Sequence, residues 1–530
     1  MRRAFGLLYP LLFAAALVLG IAARSAGQFR VGDFALVMAA VLAAAALAVG
    51  VALALVRAAV RSDRAEPLAA ALAMVAVAWF FYYAPAQRAL EGVTWRFSRD
   101  RVLLPLGLLA TAALVAWLLR QPRARLASVN AFMTRFGVLL VVLIAINAAV
   151  NRGEARGVAR SSLARELARP VRTLGAPPSA RNTPPRDVYL IVLDGHASAR
   201  VLREVLGFDN TPFEDSLRAL GFIIPASMRS NYTQTVTSLT SLLNSTHVTG
   251  IARDVGETTT DFSLPKHLVE HNRAARFLKA RGYRYVLFPS AWWSVTEHSP
   301  LADVEFDARP EFRLADEVRR TELRLAVVRS TLLRGMLQRE RDDADFYLRT
   351  FAGLREMPAD PAPTFTFAHV LLPHIPYIVD EGCRPLASPI PSTVEDASPA
   401  QRAAYVRQLR CADSLVLDLV TTLLRRSATP PVILVVGDHG SRFTEPRYYE
   451  RPDSVSSAFI RERFGALGAF YLPAGGEQAF DEPVSLVNVM GNVLRYYHNA
   501  ELPRSTDAMY VSGLRPYCFY QVDSARYSGR

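Results

Sequence analysis

Two short segments of this chain, about 240 residues apart, end in side chains that are typical metal ligands. Val188–Leu193 is followed by Asp194, and Val432–Val436 is followed, after one glycine, by Asp438 and His439. Each run is apolar and rich in β-branched residues, which predicts a strand buried on both faces of a parallel sheet. Ligands of such sheets bind beyond the carboxyl ends of the strands. Two carboxylates and an imidazole there favour one divalent cation, zinc first, with manganese, magnesium or calcium as alternatives; either aspartate alone could simply cap a turn.

A nucleophile is expected in the hydroxyl-rich segment Ser230–Ser241, where Leu239 and the leucines after it predict that a helix begins. A Ser or Thr at a helix N-terminus lies near free amides and the positive end of the helix dipole, which stabilise an alkoxide and an incoming phosphate. A nearby cation would lower the hydroxyl pKa further. The same composition is also typical of an ordinary cap and turn.

The elements that must hold these residues alternate along residues 186–530. Further candidate strands are Tyr285–Phe288, Thr364–His369 and Gly468–Leu472, and candidate helices are Pro212–Leu220, Arg273–Arg281, Pro399–Arg425 and Val484–Tyr497. This alternation predicts a doubly wound α/β domain.

The first 150 residues have a different character. The chain is 51% hydrophobic, with a mean hydropathy of +0.15, and much of the excess lies in five apolar stretches near the N-terminus. Each is close to the roughly 20 residues that cross a bilayer. They predict transmembrane helices at Phe5–Ala23, Phe34–Val56, Pro67–Tyr83, Val102–Leu119 and Phe136–Val150.

The charges between these stretches favour an N-terminus in the cytoplasm, because that arrangement leaves more arginines on the cytoplasmic side. Five spans then place everything after Val150 outside the cytoplasm, as in a multi-pass protein of a bacterial cytoplasmic membrane. The net charge of +13 does not indicate a nucleic-acid partner: residues 1–185 hold 22 basic and 7 acidic residues, and residues 186–530 hold 39 and 41. The basic excess therefore flanks the membrane helices, where lipid headgroups can meet it.

Residues 151–185 separate the two parts. Val158, Leu163 and Leu167 have helical spacing among arginines, which predicts either an amphipathic helix on the membrane surface or a solvated linker. The proline-rich stretch that ends at Pro185 reads as a linker. We therefore expect a transmembrane region at 1–150, a connecting segment at 151–185 and a catalytic domain at 186–530.

The three cysteines are Cys383, Cys411 and Cys518. A domain outside the cytoplasm permits disulfides, and a Cys383–Cys411 bond is conceivable, but spacing alone does not decide the pairing.

Taken in order, the Leu-Asp-Gly strand end, the hydroxyl-rich helix start, the Pro-His-x-Pro sequence at Pro373–Pro376 and the Gly-Asp-His-Gly turn resemble the alkaline phosphatase superfamily. More narrowly, the chain resembles its membrane-anchored sulfatase-like branch, which includes the lipoteichoic acid synthases and the lipid A phosphoethanolamine transferases. The resemblance covers nearly the whole chain, since that branch combines five transmembrane helices with an extracytoplasmic α/β domain.

The resemblance implies one metal ion bound by Asp194, Thr235, Asp438 and His439. It implies Thr235 as nucleophile, in preference to Thr233 and Thr237, because Ser238 follows three residues later.

It further implies that His374 contacts the phosphate or protonates the leaving oxygen. His369 is a second candidate for substrate binding, or a buried core residue. Arg442 would grip phosphate, or form an exposed salt bridge.

One departure from the family bears on the reaction. Sulfatases proper carry a Cys/Ser-x-Pro-x-Arg motif, which the segment around Thr235 lacks, so sulfate-ester hydrolysis is disfavoured. No second set of His and Asp ligands stands out, as a two-metal phosphatase would need.

The resemblance thus implies a transferase that moves a phosphoethanolamine- or phosphoglycerol-type headgroup from a membrane phospholipid to an envelope glycan or glycolipid, through a phospho-Thr intermediate. Two alternatives remain open: a phosphodiester or sulfate-ester hydrolase with the same residues, and a non-catalytic membrane sensor or assembly protein.

The tryptophans Trp292 and Trp293 are expected to line an acceptor or lipid pocket, or to pack in the core.

Overall fold

The structure is a computed structural model that describes residues 7–24, 31–60, 63–91, 100–175, 185–290, 296–306, 308, 322–333, 341–357, 362–390 and 397–528. The chain divides into two compact units. Unit 1 comprises Met1–Arg156 and Phe312–Arg339, and unit 2 comprises Gly157–Glu311 and Glu340–Arg530. The boundaries predicted at residues 150 and 185 stay predictions; the stretch 312–339, which the sequence grouped with the catalytic domain, groups here with the N-terminal helices.

Unit 1 is helical. Its described helices are Tyr9–Arg24, Val31–Ala59, Ala65–Val77, Tyr83–Glu91, Asp100–Arg120, Arg123–Arg160 (which continues into unit 2) and Glu322–Ser330, and a π-helical turn at Ala78–Tyr82 joins the third to the fourth. Four spans of the described residues are long and apolar enough to cross a membrane: Gly32–Ala59, Ala65–Gln87, Val102–Arg120 and Arg123–Asn147. The first apolar helix, Tyr9–Ala23, is shorter.

The last span begins at Arg123 rather than at the predicted Phe136. Polar residues lower the hydropathy of its first half, so the sequence did not predict that part of the span. In the structure these residues are hydrogen-bonded. Asn130 donates to the Pro67 carbonyl at 2.9 Å and accepts from Tyr9 Oη at 3.3 Å, and Thr134 donates to the Asn130 carbonyl. Polar groups that are bonded inside a helical bundle are compatible with burial in lipid.

The helix Glu322–Ser330 packs against the N-terminal helices. Leu323 and Val327 are buried in a cluster with Val18 and Phe81, and Arg324 lies 2.8 Å from Asp33. No hydropathy signal marks this charged stretch, because only one face of the helix is apolar.

Unit 2 is built on a six-stranded sheet. In chain order the described strands are β1 Val188–Leu193, β2 Met228–Arg229, β3 Arg284–Phe288, β4 Val304–Glu305, β5 Thr364–Val370, β6 Tyr377–Val379, β7 Pro385–Ile390, β8 Val432–Gly437, β9 Gly468–Tyr471, β10 Val484–Ser485, β11 Met509–Val511 and β12 Tyr520–Val522. The order in the sheet is β4-β3-β5-β1-β8-β9. The first five of these strands run parallel to one another, and β9 is antiparallel to β8. The two-stranded pairs β10-β2, β11-β12 and β6-β7 lie outside the sheet.

All five predicted strands are present, each within one residue of the expected bounds. Side chains of β1 alternate between two hydrophobic cores: Leu190 joins one and Ile191 the other. Helices therefore cover both faces of the sheet, which confirms the doubly wound class. The described helices of this unit are Ser162–Ala168, Ala199–Leu206, Thr211–Ala219, Thr235–Asn244, Gly250–Val255, Ser263–Glu270, Arg273–Lys279, Arg341–Glu356, Pro399–Arg426, Ser457–Phe464, Leu486–His498 and Ser524–Ser528.

Of the connecting segment the structure describes residues 151–175 and Pro185, and the rest of the proline-rich stretch that ends at Pro185 lies outside the described residues. Ser161 caps the helix Ser162–Ala168 by accepting from Ala164 N, and Leu163 and Leu167 are buried against Ile251 of unit 2. These leucines therefore pack within unit 2, and their helical spacing alone could not distinguish that packing from contact with a membrane surface. Cys383 and Cys411 form a disulfide, and Cys518 is outside any disulfide.

Candidate active site

The three predicted acid and imidazole ligands meet at one edge of the sheet. Parallel pairing places Leu193 of β1 beside Gly437 of β8, so Asp194 and Asp438 leave adjacent strand ends. With His439 they form a buried cluster in which one potential ligand atom from each lies within 4.8 Å of the others. The register of the central strands therefore converts two distant motifs into a single site.

Hydrogen bonds orient this cluster. Asp438 Oδ1 accepts from the backbone amides of Gly195 and His439, both at 2.9 Å, which directs Oδ2 away from the turn. Asp438 Oδ2 and Asp194 Oδ1 are buried with no hydrogen-bond partner among the described residues. His439 Nδ1 lies 3.1 Å from the Gly440 carbonyl oxygen. The other ring nitrogen, Nε2, therefore faces the cluster and lies 3.2 Å from Asp438 Oδ2. Two buried carboxyl groups, each with an oxygen that accepts no hydrogen bond, fit a divalent cation when an imidazole nitrogen lies beside them.

Two glycines permit the close packing. Gly195 has φ +71°, a left-handed conformation that favours glycine, and a β-carbon there would lie 3.7 Å from the His374 ring and 3.8 Å from the His439 ring. At Gly440 a β-carbon would collide with the Glu462 carbonyl.

Thr235 is the first residue of the buried helix Thr235–Asn244. Its Oγ1 lies 3.1 Å from His439 Nε2 and 3.5 Å from Asp194 Oδ2. The neighbouring hydroxyls point elsewhere: Thr233 exchanges hydrogen bonds with the Ser512 backbone, and Thr237 donates to the Gln234 carbonyl. Only Thr235 of these three thus brings a hydroxyl to the ligand cluster, at a helix end whose dipole stabilises negative charge. Its role as nucleophile stays a prediction.

Burial and mutual charge set the protonation of the site. Burial and the neighbouring Asp194 carboxylate raise the pKa of Asp438 well above its usual range. Burial also acts to raise the pKa of Asp194, but His374 and the other histidines around it outweigh burial and lower that pKa. Burial, with Arg463 nearby, lowers the pKa of His439. The two carboxyl groups therefore have opposite pKa shifts, and a bound cation would favour the ionised form of both.

The remaining predicted residues surround the cluster. His369, at the end of β5, is buried with Nε2 3.5 Å from Asp194 Oδ2 and Nδ1 3.0 Å from Thr296 Oγ1. His374 and Arg442 line a pocket of about 50 Å³ together with Gly195. Burial lowers the pKa of His374, although Asp194 opposes that shift. Trp292 and Trp293 lie outside the described residues.

Sequence reasoning missed Arg463. This buried arginine donates to the Thr233 carbonyl through Nε and Nη2 at 3.0 and 2.6 Å, and to the Gly440 carbonyl at 2.7 Å. It thereby ties the segment before Thr235 to the turn that follows His439. No local pattern distinguishes it from Arg461, the other arginine of its helix.

The hydrogen bonds that the helix Pro399–Arg426 makes to the segment around His374 were also not predicted from the sequence. Gln408, fully buried, donates to the His374 and Pro376 carbonyls at 2.8 and 3.2 Å, and accepts from the Ile378 and Val379 amides at 2.8 and 3.4 Å.

The same helix reaches the turn after β1. Tyr405 donates to the Gly195 carbonyl at 2.9 Å, and Asp413 lies 2.8 Å from His196 Nε2. One helix therefore holds both the turn that carries Asp194 and the segment that carries His374.

Comparison with solved structures finds similar folds at low identity. The periplasmic domain of EptC from Escherichia coli, in complex with zinc, matches with a TM-score of 0.44 and 14% identity over 67% of this chain and 96% of that one. The lipooligosaccharide phosphoethanolamine transferase A of Neisseria meningitidis, an integral membrane protein, matches with a TM-score of 0.39 and 14% identity over 94% of this chain and 95% of that one.

The lipoteichoic acid synthase LtaP from Listeria monocytogenes matches with a TM-score of 0.37 and 12% identity over 62% of this chain and 78% of that one. No protein-family model and no curated protein matches the chain.

Proposed function

We propose that this chain is a membrane-anchored, metal-dependent transferase of the sulfatase-like branch of the alkaline phosphatase superfamily. It transfers a phospho-headgroup, of the phosphoethanolamine or phosphoglycerol type, from a membrane phospholipid to a glycan or glycolipid of the cell envelope. The N-terminal helices would lie in a bacterial cytoplasmic membrane, with unit 2 outside the cytoplasm. Donor and acceptor would then both be found at the membrane surface.

The observation that carries the proposal is the position of Thr235. Its hydroxyl lies 3.1 Å from His439 Nε2, beside two buried carboxylates, at the N-terminus of a buried helix. A structural threonine would satisfy its hydroxyl on a backbone carbonyl, as Thr237 does. A hydroxyl that faces metal-type ligands and a helix N-terminus is instead arranged to become an alkoxide nucleophile.

Asp194, Asp438, His439 and Thr235 would hold the cation, which when bound lowers the hydroxyl pKa and neutralises charge on the phosphoryl oxygens. Zinc suits this mixture of oxygen and nitrogen donors. Once its proton has left to solvent, Thr235 Oγ1 attacks the phosphorus as an alkoxide. The bond from phosphorus to the diacylglycerol oxygen breaks, and that oxygen takes a proton from the imidazolium form of His374. The acceptor hydroxyl then gives its proton to His374 as its oxygen attacks, and Thr235 is released.

The test is to incubate the full chain, purified in detergent and loaded with zinc, with headgroup-labelled phospholipids. We expect peptide mass spectrometry to find a phospho-headgroup on Thr235, with release of diacylglycerol. The mass of the adduct would identify the headgroup. An adduct that passes only to water, whatever sugar is offered, would assign hydrolysis instead of transfer.

Two variants sharpen this test. Thr235→Ala should fold normally, because the helix takes no cap from this side chain. It should keep the cation on Asp194, Asp438 and His439, yet form no adduct. Thr235→Ser should retain a hydroxyl at the same place and react. Normal turnover by the alanine variant would remove Thr235 as nucleophile.

A further inference from the structure

A second cavity opens beside the catalytic pocket of unit 2. Its volume is about 680 Å³, within the roughly 300–1,000 Å³ of typical ligand sites. Glu445, Arg447, Tyr448, Glu450 and Arg451 line it, along a stretch that begins shortly after the metal-ligand turn. We call this cavity the 445–454 groove.

The groove and the catalytic pocket share one residue, Pro446, which lines both. The pocket beside His374 measures about 50 Å³, room for only a few water-sized groups. That space suits a phosphoryl group but not a sugar ring. A bulky acceptor must therefore lie outside it, and the groove is the adjoining space among the described residues.

Contacts in the groove wall reach the nucleophile segment. Tyr448 Oη donates to the Thr233 carbonyl at 3.3 Å, two residues before Thr235. The Arg463 guanidinium, which lies 5.7 Å from the Tyr448 ring centre, bonds to the same carbonyl. An occupant of the groove would thus contact the wall that supports the reacting residue.

The chemistry of the lining favours a neutral, hydroxyl-rich ligand. Arg447 and Arg451 supply donors, and Glu445 and Glu450 supply acceptors, so the charges of the two pairs balance. A polyanion would meet the two carboxylates, and an acyl chain would lie beside four charged side chains. Sugar hydroxyls both donate and accept, and so match guanidinium and carboxylate groups at once.

We propose that the 445–454 groove is the acceptor subsite and binds a neutral sugar ring; this inference rests on the proposed function. The hydroxyl oxygen of the sugar forms a new bond to phosphorus, and the bond from phosphorus to Thr235 Oγ1 breaks, with its electron pair returning to Oγ1. The hydroxyl proton passes to His374, which replaces the proton lost to diacylglycerol in the first step.

The experiment uses the full chain in detergent with maltose, cellobiose and N,N′-diacetylchitobiose as probes. In saturation-transfer NMR on the Thr235→Ala protein, at least one disaccharide should give a signal, and the double substitution Glu450→Gln/Arg451→Gln should remove it. Binding is read here without turnover, so it is measured even if no adduct forms. Absence of a signal from all three probes would overturn the neutral-sugar assignment.

Kinetics give the second readout. Once the adduct has formed, the same disaccharide should accelerate its loss with saturation, and the double variant should need at least tenfold more sugar to reach the half-maximal rate. Formation of the adduct in the absence of sugar reports the proposed function separately. Arg200→Gln, which removes an exposed pair with Glu204 outside the groove, is the matched control. A double variant that behaves like this control would refute the subsite.

Discussion

Replacing Gln408 with methionine tests whether the helix Pro399–Arg426 positions His374 for catalysis. The side chain keeps its approximate length but loses every polar contact. The His374 carbonyl and the Ile378 amide, each bonded to Gln408 at 2.8 Å, lose this partner, as do the more distant Pro376 and Val379 groups.

The structure sets the size of the effect. A neutral buried hydrogen bond contributes about 1 kcal/mol net, and an orphaned partner costs about 1–3 kcal/mol. Loss of two short and two longer hydrogen bonds should therefore destabilise the 374–379 segment by roughly 2–4 kcal/mol. A displacement of about 1 Å in a reacting group can cost about 100-fold in rate, or about 2.7 kcal/mol. We expect kcat to fall about 100-fold in Gln408→Met.

The assay is the rate of diacylglycerol release from labelled phospholipid, with metal content measured on the same samples. Metal content should stay at the wild-type level, since Gln408 contacts none of the ligands. Ser414→Ala on the same helix, where an exposed hydroxyl bonds only the Cys411 carbonyl and approaches Cys383 Sγ at 3.8 Å, is the control and should react normally.

A double substitution separates positioning from general destabilisation. If Gln408 acts through His374, then Gln408→Met added to His374→Asn should cause little further loss, because the positioned group is already gone. Full additivity of the two effects would refute the reasoning. So would a lower melting temperature for Gln408→Met with kcat within twofold of wild type.

Three further outcomes follow from the site and the core. Asp438→Asn should lower metal stoichiometry by removing one anionic ligand, as elemental analysis of the purified chain would show; unchanged zinc would reject the site. Arg463→Met should reduce the rate of diacylglycerol release at least tenfold, because three hydrogen bonds to Thr233 and Gly440 are lost. Arg463→Lys should recover part of that rate. Equal rates of the methionine variant and the wild type in stopped assays would contradict this. Burial, then Arg281, lowers the pKa of His498 to about 4. As the pH falls, the His498 imidazole is protonated near pH 6.5 in the unfolded chain but only near pH 4 in the folded chain. The contribution of His498 to the free energy of unfolding is therefore constant above about pH 6.5 and declines by about 3 kcal/mol towards pH 4. His498→Leu should flatten that part of the pH dependence in thermal unfolding, and an unchanged slope would exclude His498.

The strands and the ligand set could be read from the sequence because their signals are local. An apolar run such as Val432–Val436 is stable as an inner strand of a sheet, with both faces covered. Residues at the carboxyl end of such a strand lie at the edge of the sheet where ligands bind. The positions of Asp194, Asp438 and His439 follow from this, and the structure brings them together. The apolar helices of the first 150 residues were equally visible, since length and hydropathy suffice to predict a span.

Only the tertiary structure decided which groups support the site. Three threonines of similar sequence context differ in their partners, and only the fold shows that Thr235 faces the ligands while Thr233 bonds the distant Ser512. Gln408 and Arg463 act through backbone groups far away in sequence, so no pattern of neighbouring residues could reveal them. Periodicity reports which face of an element is buried, whereas the partner of a buried polar group depends on how elements far apart in the chain come together.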